Sequence, residues 1–78
     1  MATIQVSQAT AQRVLRMIEE FETPARAAHE LRVGQTAIQP YTDVASERTE
    51  YMLRRLARAS EETRIRWLGQ LRTIAAGG

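Results

Sequence analysis

Gln35, Thr36 and Gln39 are the residues of this chain whose types and spacing point most directly to chemistry with a partner. A glutamine amide offers a donor and an acceptor side by side and can bond adenine bidentately, while a threonine methyl packs on a thymine methyl. Such residues at the start of a helix are what the reading edge of a DNA-binding helix needs. They also suit the solvated first turn of an ordinary helix, and residue type alone leaves both open. Thr23, Arg26 and Arg32 lie upstream and would sit near phosphates, where they fix position rather than sequence.

The second chemical feature is arginine. All eleven basic residues are arginine and none is lysine. Codon bias in a GC-rich genome explains that, and so does a need for bidentate contact with phosphate or carboxylate. Residues 1–40 balance Arg13, Arg16, Arg26 and Arg32 against Glu19, Glu20, Glu22 and Glu30. Residues 51–78 set Arg54, Arg55, Arg58, Arg64, Arg66 and Arg72 against only Glu61 and Glu62. The run "LRRLARASEETRIRWLGQLR" therefore reads either as a solvated basic face or as a dimer or partner surface, with Arg54, Arg55, Arg58, Trp67 and Leu71 as its candidate residues. Tyr51 and Trp67 fit an interface, where exposed aromatics act as anchors, or a core.

Catalysis finds no footing. No nucleophile stands near a histidine in sequence, and no glycine-rich phosphate loop is present. Glu19-Glu20 and Glu61-Glu62 are adjacent pairs that point apart on a helix. With no cysteine and one histidine, His29, the chain offers no structural zinc set. His29 reads as a surface or boundary residue. No enzyme activity, metal or cofactor is expected. The N-terminal "MATIQVSQAT" has neither a basic n-region nor an apolar h-region, and no apolar run is long enough to span a membrane. The expectation is a cytoplasmic protein of one domain, residues 1–78.

The elements that must position these residues read as helices throughout. After a short lead with "TIQV", Ser7 caps a helix over about 8–21 whose stripe is Ala11, Val14, Leu15, Ile18 and Phe21. Thr23-Pro24 supplies a capping hydroxyl and a proline at the first helical position. Ala27, Ala28 and Leu31 form the inner face of a short second helix. Val33-Gly34 interrupts it, and a third helix opens near Gln35, with Ala37 and Ile38 inward, and ends by about Gln39 because Pro40 lacks the N–H. Asp43 or Ser46 caps a fourth helix, about 44–59, with Thr49, Met52, Leu53, Leu56 and Ala59 inward. Ser60, then Glu61 and Glu62, start a fifth, about 61–76, with Ile65, Leu68, Leu71 and Ala75 on one face. The expected fold is all-α, a compact orthogonal bundle of about five short helices.

Within it, "ARAAHELRVGQTAIQ" resembles the helix-turn-helix of the Cro and phage-repressor class, over about 24–39. Ala28, Leu31, Val33, Gln35, Thr36, Ala37 and Ile38 occupy in order the positions of that pattern. The resemblance implies that Ala28 permits a tight helix crossing, wedged by Leu31, Val33 and Ile38, and that Gln35, Thr36 and Gln39 face base edges. Arg32 stands where the pattern has its turn glycine, which asks a residue with a β-carbon to accept left-handed backbone.

Two functions follow. One is a small transcriptional regulator of phage, plasmid or mobile-element type that binds double-stranded operator DNA as a homodimer. The other is a helical adaptor or inhibitor that blocks another protein through its C-terminal helices without touching DNA.

Overall fold

The computed structural model describes residues 4–38 and 44–77, the side chains of 34–38 and 44–46 excepted. The described residues form four helices: α1 Gln8–Phe21, α2 Pro24–Ile38, α3 Val44–Arg58 and α4 Glu61–Ala75. The fold is all-helical, as the periodicity predicts. No described helix is long and apolar enough to cross a membrane.

Two of the starts use one device, a serine followed three residues later by threonine. Ser7 Oγ accepts the Thr10 N–H at 3.1 Å and donates to Thr10 Oγ1 at 3.0 Å. Ser60 does the same with Thr63, at 3.3 and 3.0 Å. Each pair satisfies a backbone N–H that has no partner inside its helix. Thr23 Oγ1 accepts the Arg26 N–H at 3.1 Å, and Pro24 is the first residue of α2. The caps expected at Ser7, Thr23 and Ser60 are all present. At the fourth start Asp43 lies outside the described residues, and Ser46 is already inside α3.

The largest departure from expectation is α2. Two helices joined by a turn at Arg32–Gly34 were expected; one helix runs from Pro24 to Ile38. The physical reason is that nothing in Arg32-Val33-Gly34 forbids a helix. A glycine in a helix interior costs only about 1 kcal/mol, and Arg32 is a good helix former. α2 is described as far as Ile38; Gln39 and Pro40, where the reading helix was expected to end, lie outside the described residues. Continuity has a visible consequence for Val33, expected to wedge a crossing from inside. It lies two residues beyond Leu31, just over a half-turn round the helix, and is 47% exposed.

Left-handed strain exists, but elsewhere. Glu22, between α1 and α2, has φ 75° and ψ −41°, the only positive φ at a described residue other than glycine. The Thr23 N–H bonds back to Phe21 O at 2.9 Å, closing a three-residue turn in its rarer, positive-φ form. Two residues thus reverse the chain between α1 and α2.

The core gathers Ala11 and Val14 of α1, Ala27 and Ala28 of α2, Met52, Leu53 and Leu56 of α3, Leu71 of α4, and Ile4 of the lead. Leu15, Ile18, Phe21, Leu31, Trp67, Leu68, Ile74 and Ala75 pack around it, partly buried. The alanines let α2 approach its neighbours closely, so α2 packs on α3 while α1 touches all three other helices. The α1–α4 seam is held by amides. Gln8 and Gln12 both donate to Ala75 O, at 3.1 and 3.0 Å, and the Ile4 N–H donates to Gln70 Oε1 at 2.9 Å. The lead, too brief for a sheet, is used as a plug: Ile4 is 8% exposed.

Candidate functional site

Residues from two separately expected sets meet at one place. α2 and α3 enclose a groove of about 260 Å³ lined by Ala25, Ala28, His29, Arg32, Arg54, Ala57 and Arg58. On α2, His29 and Arg32 are one turn apart; on α3, Arg54 and Arg58 are one turn apart. Alanines from both helices make the floor, so the long side chains stand as walls. Arg32 was expected at phosphate, Arg54 and Arg58 at a partner, and His29 at a boundary. Three guanidinium groups therefore border one channel, and its described lining contains no carboxylate. Nearby, Arg54 Nε lies 3.3 Å from Glu50 Oε2, a partly exposed intrahelical pair worth about 0.3–0.5 kcal/mol.

The remaining candidates for DNA contact are placed as follows. Thr23 spends its acceptor on capping α2, and Arg26 is exposed in the first turn beside it. Gln35 and Thr36 lie in α2 by backbone, three and four positions beyond Arg32, but their side chains are outside the described residues, as is all of Gln39.

A second concavity lies on an adjacent face of α3. It measures about 340 Å³ and is lined by Ile4, Gln5 and Val6 of the lead and by Arg48, Tyr51, Met52 and Arg55 of α3. Those α3 residues follow the i, i+3, i+4, i+7 rule and so share one face. The Arg55 guanidinium carbon stands 4.9 Å from the Trp67 ring centre and 5.8 Å from that of Tyr51. Stacked between two rings, Arg55 loses freedom that an ordinary surface arginine keeps, at a gain of about 0.5–1 kcal/mol per exposed contact. Tyr51 is 63% exposed. Arg55 and Trp67 thus stand together at a surface, whereas Leu71 does not belong with them. Leu71 is fully buried, because the side of α4 that carries it faces α1 and the core. Ile65 is the reverse case: expected inward, it is 62% exposed.

Two arginines change role. Arg64, counted with the basic surplus, donates from Nε to Leu56 O and from Nη2 to Ala59 O, both at 2.9 Å. It reaches from α4 to carbonyls at and just past the end of α3, where the helix supplies few partners of its own. Arg48 was not singled out from the sequence, although its place three residues before Tyr51 and seven before Arg55 marks the same face. Among the described residues no three His, Asp or Glu side chains gather as a metal site would need.

Comparison with models of known protein families, with curated proteins and with solved structures finds no match.

Proposed function

We propose that this chain is a small DNA-binding regulator that grips the phosphate backbone with the α2–α3 groove. The observation that carries the proposal is the convergence of Arg32, Arg54 and Arg58 on one channel with His29. A guanidinium presents a planar fork of donors that matches phosphate oxygens. Arginines on two rigid helices hold their spacing without the entropy cost of ordering a loop. In this reading Thr23 and Arg26 sit near phosphates at the head of α2, and Gln35, Thr36 and Gln39 follow Arg32 toward base edges. Because α2 runs unbroken through Arg32–Gly34, it would lie along the DNA. Homodimers and a palindromic operator remain the natural arrangement for a reader this small.

Fluorescence anisotropy with labelled DNA from the gene's own upstream region tests it. Binding at low salt should weaken steeply as salt rises, since each phosphate neutralised releases a counterion. Arg32→Ala, Arg54→Ala and Arg58→Ala should each weaken binding and reduce the salt slope by about one. Gln35→Ala should instead erode sequence preference. A chain that binds no DNA at low salt sinks the proposal.

The adaptor reading is favoured by a different observation, the exposed Tyr51 beside Arg55 and Trp67. Tyrosine, tryptophan and arginine are the residues that dominate protein–protein binding energy. A stoichiometric protein partner lost on Tyr51→Ala, in a chain that leaves DNA unshifted, would establish it.

A further inference from the structure

The slot on the lead side of α3 has a matching shape in the same molecule. Its lining sets apolar Ile4, Val6, Tyr51 and Met52 beside Gln5, and Arg48 and Arg55 bracket Tyr51 and Met52 along α3. Seven residues of helix separate those arginines, about 10 Å along the axis. An occupant therefore needs an apolar side chain flanked by carboxylates on one helical face. The first turn of α4 supplies that pattern. Ile65 is 62% exposed, and Glu61 and Glu62, four and three residues before it, diverge to either side of it one turn earlier. Both glutamates are exposed, and the Glu62 side chain is 90% exposed, its nearest cation being Arg66 at 3.9 Å. Ile65 lies two residues before Trp67, which faces Arg55, so the corner and the slot are on different sides of one molecule.

We infer that the slot of one chain receives the Glu61–Glu62–Ile65 corner of a second copy. Ile65 enters between Val6, Tyr51 and Met52, and the two carboxylates reach Arg48 and Arg55. Arg55 is already held between two rings, so little ordering remains when it binds a carboxylate. Glu47 and Glu50 lie beside Tyr51 on the neighbouring face, with Glu50 drawn to Arg54, so the slot itself stays positive. Two different patches meet in this contact, which makes it heterologous: it grows head to tail unless a ring closes it. The inference is independent of DNA binding, because the α2–α3 groove and the slot share no lining residue.

Light scattering coupled to size-exclusion chromatography, on the full chain without DNA, tests the inference. The expected result is a mass that rises with concentration above the 8.8 kDa of one chain and falls back as salt screens the pairs. Ile65→Ser changes an exposed residue and should leave the fold intact, as circular dichroism would show, while weakening association about tenfold or more. Two charge reversals provide the second arm. Glu61→Arg with Glu62→Arg, and Arg48→Glu with Arg55→Glu, should each give monomers. Mixed in equal amounts, they should associate in equal numbers and alternate, since the basic corner of the first fits the acidic slot of the second and the acidic corner of the second fits the basic slot of the first. A wild-type chain that stays monomeric at millimolar concentration overturns the inference and leaves the slot to a foreign acidic partner. So does association that Ile65→Ser leaves unchanged. DNA binding lost with association intact would count against the proposed function alone.

Discussion

Glu22 holds backbone that glycine adopts freely and that other residues accept at a cost of about 1–3 kcal/mol. Its side chain is exposed, so nothing in the core requires a glutamate there. Replacing it with glycine relieves the strain and gives back about 0.5–1 kcal/mol through the freer unfolded chain. The expected outcome of Glu22→Gly is a net gain of about 1 kcal/mol, seen as a Tm several degrees higher. Glu22→Ala removes the charge and keeps the β-carbon, and should leave Tm nearly unchanged. If alanine stabilises as much as glycine, the effect lies in the charge and the strain account fails. Arg32, where the sequence pattern places this strain, is comfortable in the middle of α2.

At the scale of elements, α3 and α4 are joined by polar side chains as well as by apolar packing, Arg55 on Trp67 and Arg64 among them. Arg64 closes the end of α3 from the first turn of α4, with two charge-assisted bonds to carbonyls. Arg64→Ala should destabilise the chain by about 1–2 kcal/mol, measured as a lower urea midpoint. Arg64→Lys should recover only part of that, because a single ammonium does not reproduce the fork that spans Leu56 O and Ala59 O. The helices themselves were largely legible. Ser7, Thr23-Pro24 and Ser60 mark three starts, and the stripes Ala11–Val14 and Thr49–Met52–Leu53–Leu56 mark two inner faces, because caps and periodicity are local physics. The turn expected at Arg32–Gly34 is absent because propensity outweighs the helix-turn-helix pattern: one glycine in a run of helix formers is not a stop. Ile65, expected inward, is exposed, and Leu71 keeps the inner stripe expected of it but not the partner surface, for another reason. α4 is apolar on more than one side, and only the position of α1 decides which side is inner. The α2–α3 groove was invisible in sequence, since it unites residues more than twenty positions apart.

The whole molecule rests on a small core, with Val14, Leu53, Leu56 and Leu71 as its largest fully buried apolar side chains. A chain of 78 residues buries a smaller share of its surface than a larger domain and has little stability to spare. Leu53 is fully buried, so Leu53→Ala should cost about 2–5 kcal/mol. Circular dichroism and urea titration should then show one cooperative transition moved to much lower denaturant, with both signals coincident; separate transitions would mean that α1–α4 and α2–α3 fold as independent units. Trp67 adds something to every such experiment. It is the chain's single tryptophan, and a guanidinium lies 4.9 Å from its ring centre, at the junction of α3, α4 and the slot. An indole emits according to the charge and polarity beside it. One intrinsic chromophore, needing no added dye, therefore reports the docking of α4 on α3 and any displacement of Arg55 at the surface.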